Sequence, residues 1–301
     1  MAYILDEYDD LLERILKKGK LRKNRTGVDS LAIFGTQIRI NISECFPLPT
    51  RRKIAYKSSF AELLWMLSGS TNVNDLKELG SGIWNAWEDK DFEQKHGYIS
   101  GSLGKTYGFQ MRYFGGEFGN GSSPFLRPPQ GSYFAPPYYA DYGAKGKDQV
   151  QYVVDLLKND PTSRRIIINL WNAKDLDCMK LPPCLYSYQF NVDEDKLSCM
   201  ITMRSCDFMA GGIFNIVFSS ALTYMLCQQT GSVPNELIHT IADAHIYVDQ
   251  IPMVEEYLSR PKPDSPKLKL NKAKDIFSYQ VSDFEIVDYN PLPSIKIPVA
   301  V

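Results

Sequence analysis

The chain has 301 residues, of which 44% are hydrophobic and 23% are charged, and its formal net charge is −1. This composition is typical of a globular protein with a sizeable core, and it lacks the basic excess of a general nucleic-acid-binding protein. No apolar run approaches the roughly 20 residues that span a membrane, and the acidic N-terminus does not have the order of a signal peptide. The sequence therefore predicts a cytoplasmic protein.

Cysteine and histidine usage argues against a metal site. The six cysteines show no CxxC spacing, and the chain has only three histidines. Without paired ligand spacing, neither a structural nor a catalytic metal site is expected. In a cytoplasmic protein most of these cysteines are expected to be reduced and structural.

The chain begins with a predicted amphipathic helix over Asp6–Lys18. Its apolar residues recur at helical spacing, and its acidic residues come early and its lysines late, which suits the helix dipole. The basic run that follows, residues 17–25, is either a solvated helix end or, in the turn at Arg25, an arginine fork that holds a phosphate. Residues 30–42 alternate between apolar and polar and predict strands broken at Gly35.

A nearly apolar helix is predicted at residues 58–67, and it carries one carboxylate, Glu62. Burying a carboxylate among apolar side chains is costly unless a partner satisfies it. Glu62 is therefore either on an exposed edge of the helix or a buried acid with a raised pKa that relays protons. Further along, Trp84 and Trp87 are three residues apart, which predicts either core packing or a stacking platform for a planar ring.

Residues 114–147 differ in composition from the rest of the chain. They are crowded with Gly, Pro, Tyr and Ser and show no periodicity. The segment is too long for a simple connection, so the sequence predicts an accessory insertion. Its aromatic side chains are not typical of plain disorder.

The second half of the chain alternates helices and strands. Helical spacing returns at residues 148–159, and an apolar β-branched run at 166–171 predicts a buried strand. Residues 186–192 and 197–204 predict an antiparallel hairpin. Residues 214–229 carry no charge, which predicts a helix buried at the centre of the fold.

These elements fit one α+β domain that spans residues 1–301. We expect a mixed β-sheet, a long buried central helix and flanking helices. The insertion at about residues 114–147 is the only segment outside this pattern.

A cysteine after two prolines is the strongest candidate for chemistry. Pro182 and Pro183 fix the backbone before Cys184 and withhold backbone donors there. A thiol at such a turn, with arginines nearby in the fold, is expected to lose its proton more easily and to act as a nucleophile. His245 and Tyr247 lie on one face of a predicted strand, where the histidine is either a satisfied core residue or a functional group.

Two further candidates have open interpretations. Arg164 and Arg165 stand at a strand entrance, where neighbouring side chains point to opposite sides. Both can serve one anion only if the backbone bends or the site lies at a subunit boundary. Asn215 at the start of the central helix either caps that helix or reads the donors and acceptors of another group.

Many of these residues lie in motifs that resemble the thymidylate synthase family. The resemblance runs from the Arg-Thr-Gly turn to the C-terminal Pro-Val-Ala-Val and covers nearly everything except the insertion. It implies a homodimeric enzyme that converts dUMP to dTMP, with 5,10-methylenetetrahydrofolate as the donor of both carbon and hydride. The motifs are Glu62-Leu-Leu-Trp, Ile83-Trp84-Asn85-Ala-Trp87, Tyr107-Gly-Phe-Gln, Ser163-Arg-Arg-Ile-Ile, Pro183-Cys184, Arg204-Ser-Cys-Asp207, Phe214-Asn215-Ile and Asp243-Ala-His-Ile-Tyr247.

The resemblance also implies which residues handle the nucleotide. Cys184 would be the nucleophile that adds to C6 of the uracil, and Glu62 and Tyr107 would move protons. Arg204 would lower the pKa of the thiol and hold the phosphate. The other implied contacts are Arg25 and Ser205 on the phosphate, Arg164 and Arg165 from the second subunit, Asn215 on the uracil edge, and His245 and Tyr247 on the sugar hydroxyl.

The folate site is implied in the same way. Asp207 would bind the pterin as part of the catalytic set, and Arg52 would meet the folate tail. The C-terminal residues, including Ala300, would close over the folate and exclude water. The implied lining of the site is Ile83, Trp84, Leu181, Gly211 and Phe214.

The sequence departs from the family's usual pattern beside Cys184. Leu185 follows it where histidine is common, Met203 replaces a usual glutamine, and Gly212-Ile213 stands where an apolar residue and a proline are typical. These changes leave open a sister reaction in which water replaces the hydride and the product is 5-hydroxymethyl-dUMP. The retained Trp84 and Leu181 and the C-terminal tail favour the reductive ending. A nucleic-acid-binding module is the alternative from another class, and the intact catalytic set argues against it.

Overall fold

A six-stranded mixed sheet and one long buried helix organise the fold. A computed structural model describes residues 2–118 and 146–300 of the chain. Within those ranges the α-helices are α1 Asp6–Lys18, α2 Tyr56–Leu67, α3 Val73–Glu78, α4 Lys90–His96, α5 Tyr107–Tyr113, α6 Gln149–Asn159, α7 Ile213–Thr230 and α8 Ile251–Ser259. The strands are β1 Lys20–Arg22, β2 Ser30–Asn41, β3 Ile167–Asn169, β4 Leu185–Asp193, β5 Lys196–Asp207, β6 Val233–Tyr247, β7 Lys267–Leu270 and β8 Phe284–Val287. The predicted α+β class is confirmed.

The predicted insertion at residues 114–147 lies mostly outside the described residues. At its base, a β-bridge pairs Phe114 with Lys147. Phe118 is buried, with its ring centroid 5.1 Å from that of Phe109 on α5. The two ends of the insertion therefore meet at the surface of the domain beside a small aromatic cluster.

The sheet order brings distant segments of the sequence together. The strands lie in the order β1-β2-β6-β5-β4-β3, and every neighbouring pair is antiparallel except β5 and β6. The predicted hairpin is the antiparallel pair β4 and β5. The parallel pairing of β5 with β6 sets Asp207 opposite His245 and Ser205 opposite Asp243. Candidates that are about 40 residues apart in the sequence therefore lie side by side at one end of the sheet.

Helix α7 is the centre of the core. Its 18 residues include no charged side chain, and most of them are buried against α2, β5 and β6. Removing such an apolar surface from water is the main driving force of folding. The segment Phe208–Thr230 is long and apolar enough to cross a membrane by composition, but most of it is buried inside this fold. It is therefore a core helix, as the sequence predicts.

A π-helical turn, Phe208–Gly212, leads into α7. Asp207 caps this turn, because its carboxylate accepts a hydrogen bond from the backbone N–H of Ala210 at 3.1 Å. Asn215 instead lies inside the first turn of α7, where its amide donates to the carbonyl of Gly211 at 2.9 Å. Asn215 is therefore not the helix cap that one interpretation of the sequence proposed.

The structure differs from the sequence predictions in β2 and in several short helices, α3, α4, α5 and α8. Strand β2 is not broken at Gly35, although this residue adopts a left-handed backbone conformation with φ of 78°. The strand keeps the same register with β6 before and after the glycine. Helix α8 was not predicted, since a helix of nine residues with only Val254 and Tyr257 buried gives little periodic signal.

Strand β6 carries a histidine into the core. His239 is fully buried, with its ring centroid 6.2 Å from that of Phe208. Neither of its ring nitrogens has a hydrogen-bond partner in the described part of the chain. Burial disfavours the charged ring and lowers the pKa of His239 from 6.5 to about 3. The imidazole is therefore neutral in the folded protein at neutral pH.

We predict that acid destabilises the fold through His239. Between pH 6.5 and about 3 the unfolded chain binds a proton on this ring that the folded chain does not bind. Through His239 the free energy of unfolding therefore falls as the pH falls, by up to about 1.4 kcal/mol per pH unit, whereas Glu62, whose pKa burial raises to about 7, contributes in the opposite direction. Urea unfolding at several pH values between about 7 and 4 measures this slope.

In the same experiment His239→Leu is expected to lose most of this slope, because an apolar side chain of similar size leaves no group to titrate. The half-buried His96 offers the matched control, and His96→Gln is expected to keep the slope. An equally steep loss of stability in His239→Leu would contradict the assignment.

Candidate functional site

Cys184 lies between the two prolines and the start of β4. The side chain of Arg204 on β5 reaches across this turn, where its Nε donates to the carbonyl of Pro183 at 3.0 Å and its Nη2 to the carbonyl of Pro182 at 2.8 Å. The same Nη2 lies 3.5 Å from Cys184 Sγ. Because prolines have no N–H but keep their carbonyl acceptors, the turn holds a guanidinium group against the thiol.

Two aromatic residues complete the surroundings of this turn. The backbone N–H of Cys184 donates to the Tyr107 Oη at 2.8 Å. The guanidinium of Arg204 lies over the ring of Trp171, 5.8 Å from its centroid. Both the backbone of Cys184 and the orientation of Arg204 are therefore fixed by contacts with other segments.

The pKa of the Cys184 thiol is raised in the single chain, contrary to the sequence prediction. Burial is the largest cause, because it disfavours the thiolate. The charges of Arg204 and Arg25 act in the opposite direction but do not outweigh burial. Burial and the two arginines therefore act in opposite directions on the thiol, and burial is the larger effect in the single chain.

Glu62 is a buried acid on α2. Glu62 is only 8% exposed, and its Oε1 accepts a hydrogen bond from Trp84 Nε1 at 2.7 Å. Burial raises the pKa of Glu62 to about 7, although the bond from Trp84 acts in the opposite direction. A carboxyl group with this pKa exchanges protons readily near neutral pH. Of the two interpretations of the sequence, the buried acid is the one observed.

An aromatic cluster joins Glu62 to Cys184. The ring centroid of Trp84 lies 5.2 Å from that of Trp87 and 5.7 Å from that of Tyr107. Burial raises the pKa of Tyr107 well above its ordinary value, so its phenol is neutral. Tyr107 thus contacts the Cys184 backbone on one side and the indole that holds Glu62 on the other.

A second cluster lies at the C-terminal end of β6. Asp243 accepts a hydrogen bond from Arg22 Nη1 on one carboxylate oxygen at 2.8 Å, and its other oxygen lies 2.9 Å from His245 Nδ1. The hydrogen bond with His245 is the main cause that lowers the pKa of Asp243. Arg22 also lowers it, and partial burial acts in the opposite direction. The rings of His245 and Tyr247 meet edge to face with centroids 5.2 Å apart. Asp243 therefore fixes one nitrogen of His245 and leaves Nε2 for another partner.

The other nucleotide candidates lie around the same strand ends. Ser205 pairs in register with Asp243. Arg25 is exposed in its turn, and its charge acts on both Cys184 and Tyr247. The structure thus brings Arg25 within electrostatic reach of the thiol, even though more than 150 residues separate them in the sequence.

Asp207 is the centre of the implied folate side. Besides the Ala210 N–H, its carboxylate accepts a hydrogen bond from Gln250 Nε2 at 2.9 Å. Burial raises the pKa of Asp207, and the bond from Gln250 acts in the opposite direction. A Cβ added to Gly211 would meet nothing within 4 Å, so this glycine borders open space. The other candidates near the surface are Ile83, Leu181, Phe214 and Ala300, which are half-buried or exposed.

Three predicted arginines are placed differently from the rest. Arg164 and Arg165 are exposed before β3, and neither is among the charges that act on Cys184 in this chain. Arg52 is only 5% exposed, and its Nη2 donates to the carbonyl of Met209 at 2.7 Å. The single chain therefore does not bring the predicted arginine pair to the thiol, and the contact of Arg52 with a folate tail stays a prediction.

Sequence reasoning missed three residues of the site. Arg22, which binds Asp243, lies in a basic run whose members the sequence does not distinguish. Trp171 under Arg204 and Gln250 beside Asp207 stand in no recognisable motif. All three act through contacts between distant segments, which only the fold reveals.

A family model described as thymidylate synthase matches residues 6–301 of the chain. The chain is 40% identical over 294 residues to the thymidylate synthase of Corynebacterium aurimucosum, a match that covers 98% of this chain and 97% of that protein. It is 39% identical over 299 residues to the thymidylate synthase of Homo sapiens, covering 98% of this chain and 90% of the relative. It is also 39% identical over 300 residues to the bifunctional dihydrofolate reductase-thymidylate synthase of Zea mays, covering 98% of this chain and 54% of the relative.

We predict that Trp84→Phe raises the pKa of Glu62 above about 7, because it removes the indole donor and keeps an aromatic ring at the position. Infrared difference spectroscopy of the carboxyl group, assigned by its loss in Glu62→Gln, measures the titration. Trp87→Phe is the matched control. It replaces the neighbouring indole by a smaller aromatic ring, and it is expected to leave the pKa of Glu62 unchanged. The same pKa in Trp84→Phe as in the unaltered protein would rule out control by the indole.

Proposed function

The chain belongs to the thymidylate synthase family, and we propose that it converts dUMP to dTMP at the site around Cys184. It is a one-carbon transferase whose second substrate, 5,10-methylenetetrahydrofolate, supplies the carbon and the hydride and leaves as dihydrofolate. The observation that carries the proposal is the thiol of Cys184 held 3.5 Å from Arg204 Nη2, with the buried acid Glu62 linked to it through Trp84 and Tyr107.

Cys184 is the nucleophile in this proposal. Its thiolate adds to C6 of the uracil, which makes C5 nucleophilic towards the donated carbon. Removal of the C5 proton breaks the bond between the transferred carbon and the folate nitrogen. The hydride that the folate then gives to this carbon expels the thiolate from C6, and the thiol is restored by protonation. Arg204, fixed by the two proline carbonyls, stabilises the thiolate without having to reorganise.

Glu62 and Tyr107 manage the protons. A carboxyl group with a pKa of about 7 can hold or release a proton at neutral pH, so Glu62 serves as the relay on the pyrimidine side. Tyr107 is neutral and bound to the Cys184 N–H, so it acts beside C5 through its hydroxyl group. Glu62 and Tyr107 therefore divide the proton transfers between an acid that titrates near neutral pH and a neutral hydroxyl group.

The nucleotide is held by charge at one end and by neutral hydrogen bonds at the other. Arginine suits a phosphate because its planar fork donates two parallel hydrogen bonds. An amide suits the uracil edge because it both donates and accepts. We assign Arg25, Arg204 and Ser205 to the phosphate, Asn215 to the uracil, and His245 and Tyr247 to the sugar hydroxyl.

The residues around Asp207 fit a pterin. A buried carboxylate beside open space at Gly211 matches a flat heterocycle that presents N–H donors. Apolar side chains on the borders of that space suit the faces of such a ring. We assign Asp207 to the pterin, Ile83, Trp84, Leu181, Gly211 and Phe214 to the lining, and Arg52 and Ala300 to the outer part of the folate.

We further propose a homodimer formed through the open face of the sheet. Phe34 on this face is 73% exposed, which is unusual for a large apolar side chain in a single globular chain. A groove runs along the same face and is lined by Phe34, Gly35, Thr36, Gln37, Tyr186, Thr202, Thr240, Ile241 and Ala242. A second copy on this face would cover the exposed apolar surface by the self-complementary contact that is usual in dimers.

The dimer also explains the exposed arginine pair. Arg164 and Arg165 are exposed in their own chain, and their charges are not among those that act on the Cys184 of that chain. In the proposed dimer they reach the phosphate in the second copy's site. The two added positive charges offset the phosphate, and Arg204 is then left to act on the thiol.

The nucleophile must stay reduced for this chemistry. All six cysteines of the chain are free thiols. The cytoplasm keeps thiols in that state, and we propose that the enzyme acts there.

Product analysis by mass spectrometry tests the proposed function. With dUMP and 5,10-methylenetetrahydrofolate we predict dTMP and dihydrofolate. Cys184→Ala is expected to abolish turnover and to retain dUMP binding, because the thiol reacts with the base and the other contacts hold the nucleotide. Formation of 5-hydroxymethyl-dUMP with tetrahydrofolate would replace the proposed reaction by the hydroxymethylase, and a near-normal rate in Cys184→Ala would refute the nucleophile.

We predict that two inactive variants restore activity when they share a dimer. A chain with Cys184→Ala still carries its arginines, and a chain with both Arg164→Ala and Arg165→Ala still carries its thiol. Joint refolding at equal amounts is expected to restore about a quarter of the normal activity, since half of the dimers are mixed and each has one intact site. Cys184→Ala refolded with Arg204→Ala is the control, because both residues belong to the same subunit's site and no activity is expected. No recovery in the first mixture would contradict the shared site.

A further inference from the structure

Gln250 joins three parts of the site that are separate in the sequence. It ends the short turn after β6 and is fully buried. Its Nε2 donates to Asp207 Oδ2 and to the carbonyl of Pro298, each at 2.9 Å. Its Oε1 accepts a hydrogen bond from the backbone N–H of Tyr247 at 3.3 Å.

The geometry uses every hydrogen of one amide nitrogen. A primary carboxamide has two N–H donors, and those of Gln250 point to two acceptors on different segments. Because both bonds leave from one nitrogen, a rotation of the amide that breaks one of them disturbs the other. The Asp207 carboxylate and the Pro298 carbonyl are therefore linked through a single rigid group.

Pro298 belongs to a C-terminal tail without regular structure. The tail is anchored upstream, where the N–H of Leu292 donates to the carbonyl of Thr50 at 2.8 Å and Ile295 is buried. Beyond Pro298 the side chain of Val299 is 59% exposed. Among the described residues, the bond from Gln250 is the last side-chain contact of its kind before the chain ends.

We propose that Gln250 is a positioning residue that couples the folate-side carboxylate Asp207 to closure of the C-terminal tail through Pro298. The inference rests on the proposed function and adds to it the residue by which folate binding and tail closure communicate. A ligand that fixes Asp207 also fixes the amide and so favours the closed tail. By reciprocity, a closed tail favours the orientation of Asp207 that receives the ligand.

Gln250→Met tests the coupling. Methionine keeps the approximate length of the side chain and its burial but removes both N–H donors and the acceptor of the longer bond from the Tyr247 N–H. We expect the KM for 5,10-methylenetetrahydrofolate to rise at least about tenfold, which corresponds to about 1.4 kcal/mol, and the KM for dUMP to rise much less, because only this 3.3 Å bond connects Gln250 to a residue assigned to the nucleotide. A purely structural role would change both KM values together with the stability.

A second readout does not depend on activity. Carboxypeptidase Y removes residues from an accessible C-terminus, and we expect faster release of the last three residues, 299–301, from Gln250→Met than from the unaltered protein. Gln228→Met is the matched control. Gln228, near the C-terminal end of α7, also donates to a backbone carbonyl, but that carbonyl belongs to Leu270 at the end of β7, 3.0 Å away.

Both readouts must differ from those of Gln228→Met, and either one at the control value overturns the coupling. If Gln250→Met does not fold, Gln250→Leu removes both N–H donors with another apolar side chain and is expected to show the same two changes. If the unaltered protein forms no dTMP, the proposed function fails, whereas the release of the C-terminal residues still decides whether Gln250 holds the tail.

Discussion

The site depends on the hydrogen bonds between the Arg204 guanidinium and the carbonyls of Pro182 and Pro183. They connect β5 to the turn before β4, and they set the distance between a positive charge and the Cys184 thiol. The two prolines make this possible because they fix the backbone without adding donors that would compete for the same acceptors. Since Arg204 also rests on Trp171, the charge is oriented before any substrate arrives, which is the condition for electrostatic catalysis.

Burial and nearby positive charge have opposite effects on the pKa of the Cys184 thiol, and this balance would give the proposed dimer a chemical role. Burial wins in the single chain and raises the pKa of Cys184. An opposite charge within about 4–6 Å typically lowers such a pKa by 1–3 units, and a bound phosphate acts in the reverse direction. In our proposal Arg164 and Arg165 from a second copy neutralise the phosphate. In that proposal the partner's arginines favour the thiolate once the phosphate is bound, because they add positive charge against the effect of burial.

Much of the fold was predictable because its signals are local. Helix α1 and the uncharged helix α7 follow from periodicity and composition within single windows of sequence. The burial of Glu62 was undecided, because its partner Trp84 is 22 residues away and only the packing of α2 brings them together. Gln250 left no signal at all, since its meaning lies in contacts with strand β5 and with the C-terminal tail. Helices and strands follow from neighbouring residues, whereas the site forms only where distant segments pack together.

The departures beside the nucleophile also become intelligible as one change. Leu185 and Met203 are directly paired across β4 and β5, and they are 0% and 2% exposed. Replacing one polar partner of a buried pair strands the other without a hydrogen bond, whereas replacing both by apolar groups costs little. The two substitutions therefore belong together, and they leave the buried start of the β4–β5 pair beside Cys184 without side-chain N–H or O–H donors. An apolar pair offers no donors to an ordered water, so in our proposal the exclusion of bulk water falls to the C-terminal tail.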